Sequence, residues 1–216
     1  MPRRADAQSA IRPAAAPAAG SPELARARPR LVVVHADEAC LGNGQEPPTP
    51  GGAGGLIETR AASGQVERRD YFLAEPNTTN NRMALRSAIA ALELLSAKGH
   101  RLDVRFTSDS TYLIQGMREW VNTWRARGWR RKGGVIENLD LWRDLVAASE
   151  RHDVTWRWVR GHAGHAKNEF SNDLATRAAA EQRQSGGLVP SAFGSWLAAE
   201  RAKGKYLDYD PDTEVG

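Results

Sequence analysis

The apolar and polar positions of this chain follow first the spacing of strands and then the spacing of helices. The β-branched run at 31–36 predicts a buried central strand, and 55–60 and 65–74 predict two more strands that complete an antiparallel meander. The glycines and prolines of 42–55 predict a turn region between the first two strands. This part of the chain is therefore expected to form three antiparallel strands.

Beyond residue 80 the apolar residues recur at helical spacing, interrupted by two short strand-like runs at 102–108 and 155–160. Helices are predicted from 80 to a stop signal at 98–99, and at 111–124, 139–151, 168–184 and 191–205. The order of these elements indicates an α/β fold in which a mixed sheet is covered by helices.

The chain divides into three regions by composition. Residues 1–30 are Ala, Pro and Arg with few bulky apolar side chains, so we predict a disordered basic arm; their acids and prolines favour this over a transit peptide. Residues 31–184 are predicted to be one domain. Residues 185–216 are expected to be an extension with an acidic tail and one helix that packs Trp196 and Leu197 against the domain.

Charge and cysteine content narrow the class of protein. No apolar stretch approaches twenty residues, so no membrane span is expected. The single cysteine, Cys40, excludes a disulfide within the chain and suits a reducing compartment, which predicts a cytoplasmic protein; a reactive Cys40 nucleophile is the alternative.

The segment 118–132 holds six basic residues and one acid. A basic patch of this kind predicts a polyanionic partner, the alternative being a solvated face.

Acidic residues follow two of the predicted strands. Asp37 and Glu38 come at the end of the first strand and Asp109 at the end of the fourth, where neighbouring strand ends would bring them together. Oxygen ligands of this kind hold Mg²⁺, with Mn²⁺ as a substitute, and two such ions can activate a water and stabilise a leaving oxyanion in phosphodiester hydrolysis. For each aspartate alone, a turn or helix-cap role is the alternative.

Four motifs and a Trp-rich basic segment between the last two of them resemble ribonuclease H of type 1, over about residues 31–180. The motifs are ADEACLGN (36–43), TTNNRMALRSAI (78–89), TSDSTYLI (107–114) and VRGHAGHAKNEFSNDLA (159–175). The resemblance implies the ribonuclease H-like fold, a five-stranded mixed sheet with three antiparallel and then two parallel strands, flanked by helices. It also implies a monomer that cleaves the RNA strand of RNA/DNA hybrid duplexes endonucleolytically, without an obligate protein partner. A transposase- or integrase-like nuclease on this fold is less supported, because TTNNRM and the basic segment point to hybrids.

The chain departs from the type 1 pattern at two of the four catalytic acids, which are Asp, Glu, Asp and Asp. Asp37 and Asp109 match the first and third, but Ala84 stands where the family has Glu and Asn172 where it has the last Asp. One explanation is a decayed site in a protein that binds hybrids without cutting them.

The other explanation is that Glu38 replaces the lost glutamate, as in type 2 ribonucleases H, which carry consecutive Asp-Glu on the first strand. Adjacent strand residues point to opposite faces, so this requires a strand end or a bulge that breaks the alternation. We favour relocation. The predicted metal ligands are Asp37, Glu38, Asp109 and Asn172, with Asp173 as the alternative to Asn172.

The resemblance also assigns substrate contacts. His162 is expected to help move protons and product, and Cys40 and Asn43 to lie along the RNA strand. A helix start at Thr79, Asn80 and Asn81, with its free N–H groups, is predicted to hold a phosphate of the DNA strand. The segment 118–132 matches the basic protrusion of the family and is predicted to contact phosphates. The alternative for its tryptophans, which stand at helical spacing, is that they pack their helix against the domain. The predicted contact residues of the segment are Trp120, Trp124, Arg125, Arg127, Trp129, Arg130, Arg131 and Lys132.

Overall fold

The computed structural model of the protein describes residues 31–42, 49–97, 99–161 and 163–215. The predicted arm at 1–30 lies outside these residues. The strands are β1 (Leu31–Cys40), β2 (Gly51–Arg60), β3 (Val66–Glu75), β4 (Asp103–Ser108), β5 (Asp153–Trp158) and β6 (Val189–Pro190). The helices are α1 (Asn80–Ser96), α2 (Thr111–Gln115), α3 (Val121–Ala126), α4 (Leu139–Ser149), α5 (Ala166–Glu181) and α6 (Phe193–Ala202).

The strands form one mixed sheet in the order β5-β4-β1-β2-β3-β6. β1, β2 and β3 are antiparallel neighbours, whereas β4 and β5 run parallel to β1. β1 is therefore central. Its apolar residues Val32, Val34 and Ala36 join one core cluster with residues of α1 and α4, and α5 covers the opposite face. The described helices include none long and apolar enough to cross a membrane.

The prediction of five strands is wrong by one, because β6 adds an antiparallel edge strand that pairs with Arg69 and Asp70 of β3. Two residues are too few to show a period-2 pattern, and Pro190 is tolerated only because the strand lies at the edge. The Asp70 carboxylate accepts a hydrogen bond from the Ala192 N–H at 2.8 Å, which ties the chain after β6 to the sheet.

The prediction of a turn through residue 55 is also wrong, because β2 begins at Gly51. Its glycines serve close packing against α5. A Cβ added at Gly54 would lie 2.8 Å from the Ala175 amide nitrogen, and one at Gly52 would lie 3.1 Å from the Ala178 carbonyl carbon, with other α5 atoms closer still. The glycines of β2 therefore leave room for α5 to pack closely on the sheet, whereas in the sequence their number predicted a turn.

The predicted helix at 111–124 contains a π-helical turn, Gly116–Trp120, between α2 and α3. Gly116 lies against the indole ring of Trp142 on α4, which leaves no space for a Cβ. The last helix, α6, buries Phe193 and Leu197 in a second cluster with Phe170 of α5, and Trp196 packs against that cluster. The extension is thus in contact with the helix that borders the acidic site.

Candidate active site

The carboxylates of Asp37, Glu38 and Asp109 form one cluster at the edge where β4 ends. Ligand atoms of the three side chains lie within 4.8 Å of one another. β1 pairs with β4 only as far as His35 opposite Thr107, and then runs on to Cys40 beside β2. The chain leaves the sheet after Ser108, so Asp109 comes to lie beside the unpaired side of β1. The three acids predicted to meet are therefore brought together.

Asp37 and Glu38 keep the strand alternation, contrary to the expectation that a strand end or bulge would break it. Both residues pair with β2 in unbroken register, opposite Gly54 and Ala53. Asp37 is on the α5 face, where its Oδ2 accepts a hydrogen bond from Asn168 Nδ2 at 3.2 Å. Glu38 shares the face of Val34 and Ala36, which packs on α1.

The face of Glu38 is also the face of Ala84. Ala84 is 1% exposed and belongs to the same core cluster as Val34 and Ala36. Burial is the main cause of the raised pKa of the Tyr71 hydroxyl, and the Glu38 charge adds to it; Tyr71 bonds Ser87 of α1 at 2.9 Å. β1 therefore supplies a carboxylate on the face that α1 covers, while Ala84 of α1 supplies only a methyl group.

The environment of the cluster favours protonated acids in the absence of a cation. Burial, and next the negative charge of Asp109, raises the pKa of Asp37 to about 8, against the hydrogen bonds from the Glu38 N–H at 2.7 Å and from Asn168. Burial, and then the charges of Asp37 and Asp109, raises the pKa of Glu38 well above its ordinary value. Crowded acids that repel one another fit a divalent cation, which takes oxygen ligands and supplies the missing positive charge.

Asp109 is held by two neighbours at the end of β5. The indole N–H of Trp158 donates a hydrogen bond to the Asp109 carbonyl at 3.0 Å. Gly161 lies so close to the Asp109 carboxylate that a Cβ there would come 3.1 Å from its Cγ and closer still to Oδ2. The loop that begins at Gly161 therefore borders the cluster. Two predicted site residues, His162 and Asn43, lie outside the described residues.

α5 brings two asparagines towards the cluster. Asn168, which sequence reasoning missed, is buried and contacts Asp37 directly. The predicted ligand Asn172 is half-buried one helical turn later, so it lies on the same side of α5. Asp173, the alternative, instead accepts a hydrogen bond from the Trp196 indole N–H at 2.6 Å. The four-residue spacing of the two asparagines was the signal that could have identified Asn168.

The predicted phosphate site is at the start of α1. Thr79 caps the helix by accepting a hydrogen bond from the Arg82 N–H at 3.3 Å. A groove of about 490 Å³ is lined by Thr79, Asn80, Asn81, Arg82, Glu137 and Asn138. Cys40 is partly buried, and its Sγ lies 3.3 Å from the carbonyl oxygen of Thr78, the residue before Thr79 of this groove.

Within the predicted basic protrusion the aromatic side chains pack inwards. Trp120, Trp124 and Trp129 are all partly buried against the main core cluster. Trp124 packs edge-on against Trp142 with ring centroids 5.5 Å apart. Packing therefore accounts for the tryptophans, and their contact with substrate stays a prediction.

Arg125, one of the predicted phosphate contacts, forms an ion pair with Glu150 at 2.7 Å. Glu150 directly follows α4, so it is too distant in sequence for the ion pair to be predicted from local pattern. The other predicted cations of this segment are exposed: Arg127, Arg130, Arg131 and Lys132.

Comparisons with known proteins agree with this geometry. The family model of RNase H matches residues 29–180. A ribonuclease H of Aromatoleum aromaticum is 41% identical over 159 residues, which are 73% of this chain and 96% of that protein. A ribonuclease HI of Caulobacter vibrioides is 44% identical over 145 residues, 67% of this chain and 89% of that protein.

Among solved structures, LC9-RNase H1 is 50% identical and superposes with a TM-score of 0.79, covering 89% of this chain and 93% of that one. It is described as a type 1 RNase H with the type 2 active-site motif. With a family match over most of the chain, close relatives along nearly their whole length and an acidic cluster at the expected sheet edge, the chain belongs to the ribonuclease H family and is a ribonuclease H enzyme.

Proposed function

We propose that this ribonuclease H cleaves the RNA strand of RNA/DNA hybrids endonucleolytically, with Glu38 in place of the glutamate that type 1 relatives carry at the position of Ala84. The observation that carries the proposal is the position of Glu38. Its carboxylate joins Asp37 and Asp109 within 4.8 Å, from the face of β1 that packs on α1.

The proposed metal ligands are Asp37, Glu38, Asp109 and Asn172, and the proposed ions are Mg²⁺ or Mn²⁺. Two such ions, about 3.5–4 Å apart, would activate a water and stabilise the leaving oxyanion. The residues themselves supply a charge of −3 and one neutral amide oxygen. Asn168 fixes the Asp37 carboxylate through its hydrogen bond, which orients that ligand before any cation arrives.

The hybrid is proposed to lie across the cluster, with a phosphate of the DNA strand in the groove at the start of α1. The free N–H groups and the positive end of a 17-residue helix favour a phosphate there. Cys40 and Asn43 are proposed to follow the RNA strand and His162 to exchange protons beside Gly161. The exposed cations Arg127, Arg130, Arg131 and Lys132 would hold phosphates farther along the duplex.

The test compares the wild-type protein with Glu38→Gln on an end-labelled RNA/DNA hybrid in Mg²⁺ and in Mn²⁺. Loss of a ligand should lower kcat more than roughly 100-fold, because even the outer partners of metal ligands cost about 10–100-fold. Glu93→Gln, which changes an exposed glutamate on α1, is the matched control and should cleave normally.

The same experiment tests the binding-only hypothesis, in which Ala84 and Asn172 mark a decayed site. Hybrid binding is measured in parallel by fluorescence anisotropy. Wild-type protein that binds the hybrid tightly and cleaves it in neither metal would refute the proposed activity. Cleavage that persists in Glu38→Gln would refute the role given to Glu38.

A further inference from the structure

The segment 208–215 is hydrogen-bonded to the sheet by arginines from three different strands. Arg60 on β2 donates a hydrogen bond to the Val215 carbonyl at 2.7 Å, and Arg68 on β3 donates to the Pro211 carbonyl at 2.9 Å. Arg105 on β4 donates to the Glu214 carbonyl at 3.1 Å. Val215 itself is 2% exposed. The segment is therefore bound from Pro211 to Val215 to the face of the sheet that α5 covers.

These contacts place the Glu214 side chain beside two buried groups. Its Oε2 lies 2.9 Å from His35 Nε2 and 3.8 Å from Lys167 Nζ. Lys167 is only 2% exposed, and its Nζ also lies 2.7 Å from the carboxylate of Glu58, which is fully buried. A buried ammonium is costly unless it is surrounded by opposite charge, and here Glu58 and Glu214 approach it together.

His35 and Lys167 each adjoin the acidic cluster. His35 is two residues before Asp37 and therefore lies on the same face of β1. Lys167 directly precedes Asn168, whose amide is bonded to Asp37. Ser171, one turn further along α5, donates to the His35 carbonyl at 3.0 Å. Glu214 thus bridges the strand and the helix that meet at Asp37.

We infer that Glu214 is a positioning residue for the acidic cluster. By joining His35 of β1 to Lys167 of α5, it sets the distance between strand and helix at which Asn168 reaches Asp37 and Asn172 faces the cluster. Nothing in the family motifs reaches residue 214, which lies outside the RNase H match at 29–180. The inference rests on the proposed function, because it assumes that the cluster binds divalent cations.

A purely structural role is the rival explanation, since a segment held by three arginines also stabilises the fold. The two roles differ in what they change. A residue with a purely structural role changes the free energy of unfolding and leaves the cation affinity of the folded cluster unchanged. A positioning residue alters the cation affinity of protein that is still folded, as partners behind metal ligands do.

The experiment uses the full chain with Glu214→Gln and measures Mn²⁺ binding by titration calorimetry below the unfolding temperature of each variant. We expect Mn²⁺ to bind about tenfold more weakly, kcat on the hybrid to fall and KM to stay unchanged. Asp208→Asn is the matched control, because it removes one charge from an exposed position of the same segment, and it should bind Mn²⁺ as the wild type does.

If Glu214→Gln does not fold, Glu214→Asp replaces it, since aspartate keeps the charge near Lys167 but shortens the reach to His35. The same weaker Mn²⁺ binding is expected. Unchanged Mn²⁺ affinity in the folded variant overturns the inference, even where its unfolding temperature falls. Weaker Mn²⁺ binding in a protein whose wild type cleaves no hybrid would support positioning while refuting the proposed function, so the two failures are distinguishable.

Discussion

The acidic cluster should destabilise the protein when no divalent cation is bound, and Asp37→Asn should relieve this. At an effective dielectric constant of about 20, two unit charges 4.8 Å apart repel one another by about 3 kcal/mol. Asp37 faces such a charge on Asp109 and is itself buried, which adds to the cost of its ionised form. An asparagine has nearly the same shape and can still accept the hydrogen bond from Asn168 through its amide oxygen.

The effect has a definite pH window. The folded pKa of Asp37, about 8, lies above its ordinary value of 3.8, so the folded protein binds more protons than the unfolded chain between these two values. Stability is therefore lost as the pH rises from about 4 to about 8, and the loss is constant above that. Without metal, Asp37→Asn should be more stable than the wild type by about 3–6 kcal/mol at pH 8.5, the lower figure from the Asp109 charge alone and the upper from the full pKa shift, and equal to it near pH 4.

The assay is urea unfolding in EDTA at intervals from pH 4 to pH 9. Asp144→Asn, at an exposed position of α4, removes the same charge away from the cluster and should follow the wild-type curve. Added Mg²⁺ should stabilise the wild type and not Asp37→Asn, because binding to the folded state alone adds stability. A variant no more stable than the wild type at pH 8.5 would refute the reasoning.

Three further predictions follow from packing and charge. Ala84→Glu alone should lower the free energy of unfolding by about 2 kcal/mol, because it buries a carboxylate, and should not raise cleavage. Combined with Glu38→Ala, the same change should restore part of the activity that Glu38→Ala loses in a cleavage assay. Thermal unfolding should show that Gly54→Ala destabilises by about 2 kcal/mol through overlap with α5, while Gly194→Ala, in open space on α6, stabilises by about 0.5–1 kcal/mol. Each alanine replacement among the exposed cations should lower the slope of log Kd for the hybrid against log salt concentration by about one; these are Arg127, Arg130, Arg131 and Lys132.

Each of these three predictions has an outcome or a control that tests it. An increase in cleavage by Ala84→Glu alone would indicate a decayed site. A Gly54→Ala protein as stable as the wild type would mean that α5 can move away from β2. Arg125→Ala serves as the control for the cations, because Glu150 already neutralises Arg125 and its loss should change the salt slope less than the others.

Much of the fold was predictable because it depends on local pattern. The runs that became β1, β3, α1 and α4 carry a local signal of their own, such as the β-branched run of β1 and the helical spacing of α1 and α4, and their predicted and observed bounds differ by a few residues. The prediction failed at Gly51 and Gly52, where glycines belong to a strand, and at β6, which is too short to show a period. In both cases the structure depends on a partner remote in sequence.

The residues of the acidic cluster were likewise predictable only where a local pattern or motif marks them. Asp37, Glu38 and Asp109 could be identified from their places after apolar runs and from the family motifs. The face of Glu38 was decided only by the register of β1 with its neighbours, which leaves the alternation intact. Its four-residue spacing from Asn172 marks Asn168 as a candidate, but the contact with Asp37, 131 positions away along the chain, is visible only in the structure.

The sequence by itself determined the family, the kind of chemistry and the order of elements, because these follow from motifs and from periodicities within single segments. Only the tertiary structure decided which side chains meet. It brought Glu38 to the face of Ala84, paired Arg125 with Glu150 and carried Glu214 to His35 and Lys167. The physical reason is that contacts across the sheet depend on register and helix placement, which no single stretch of sequence encodes.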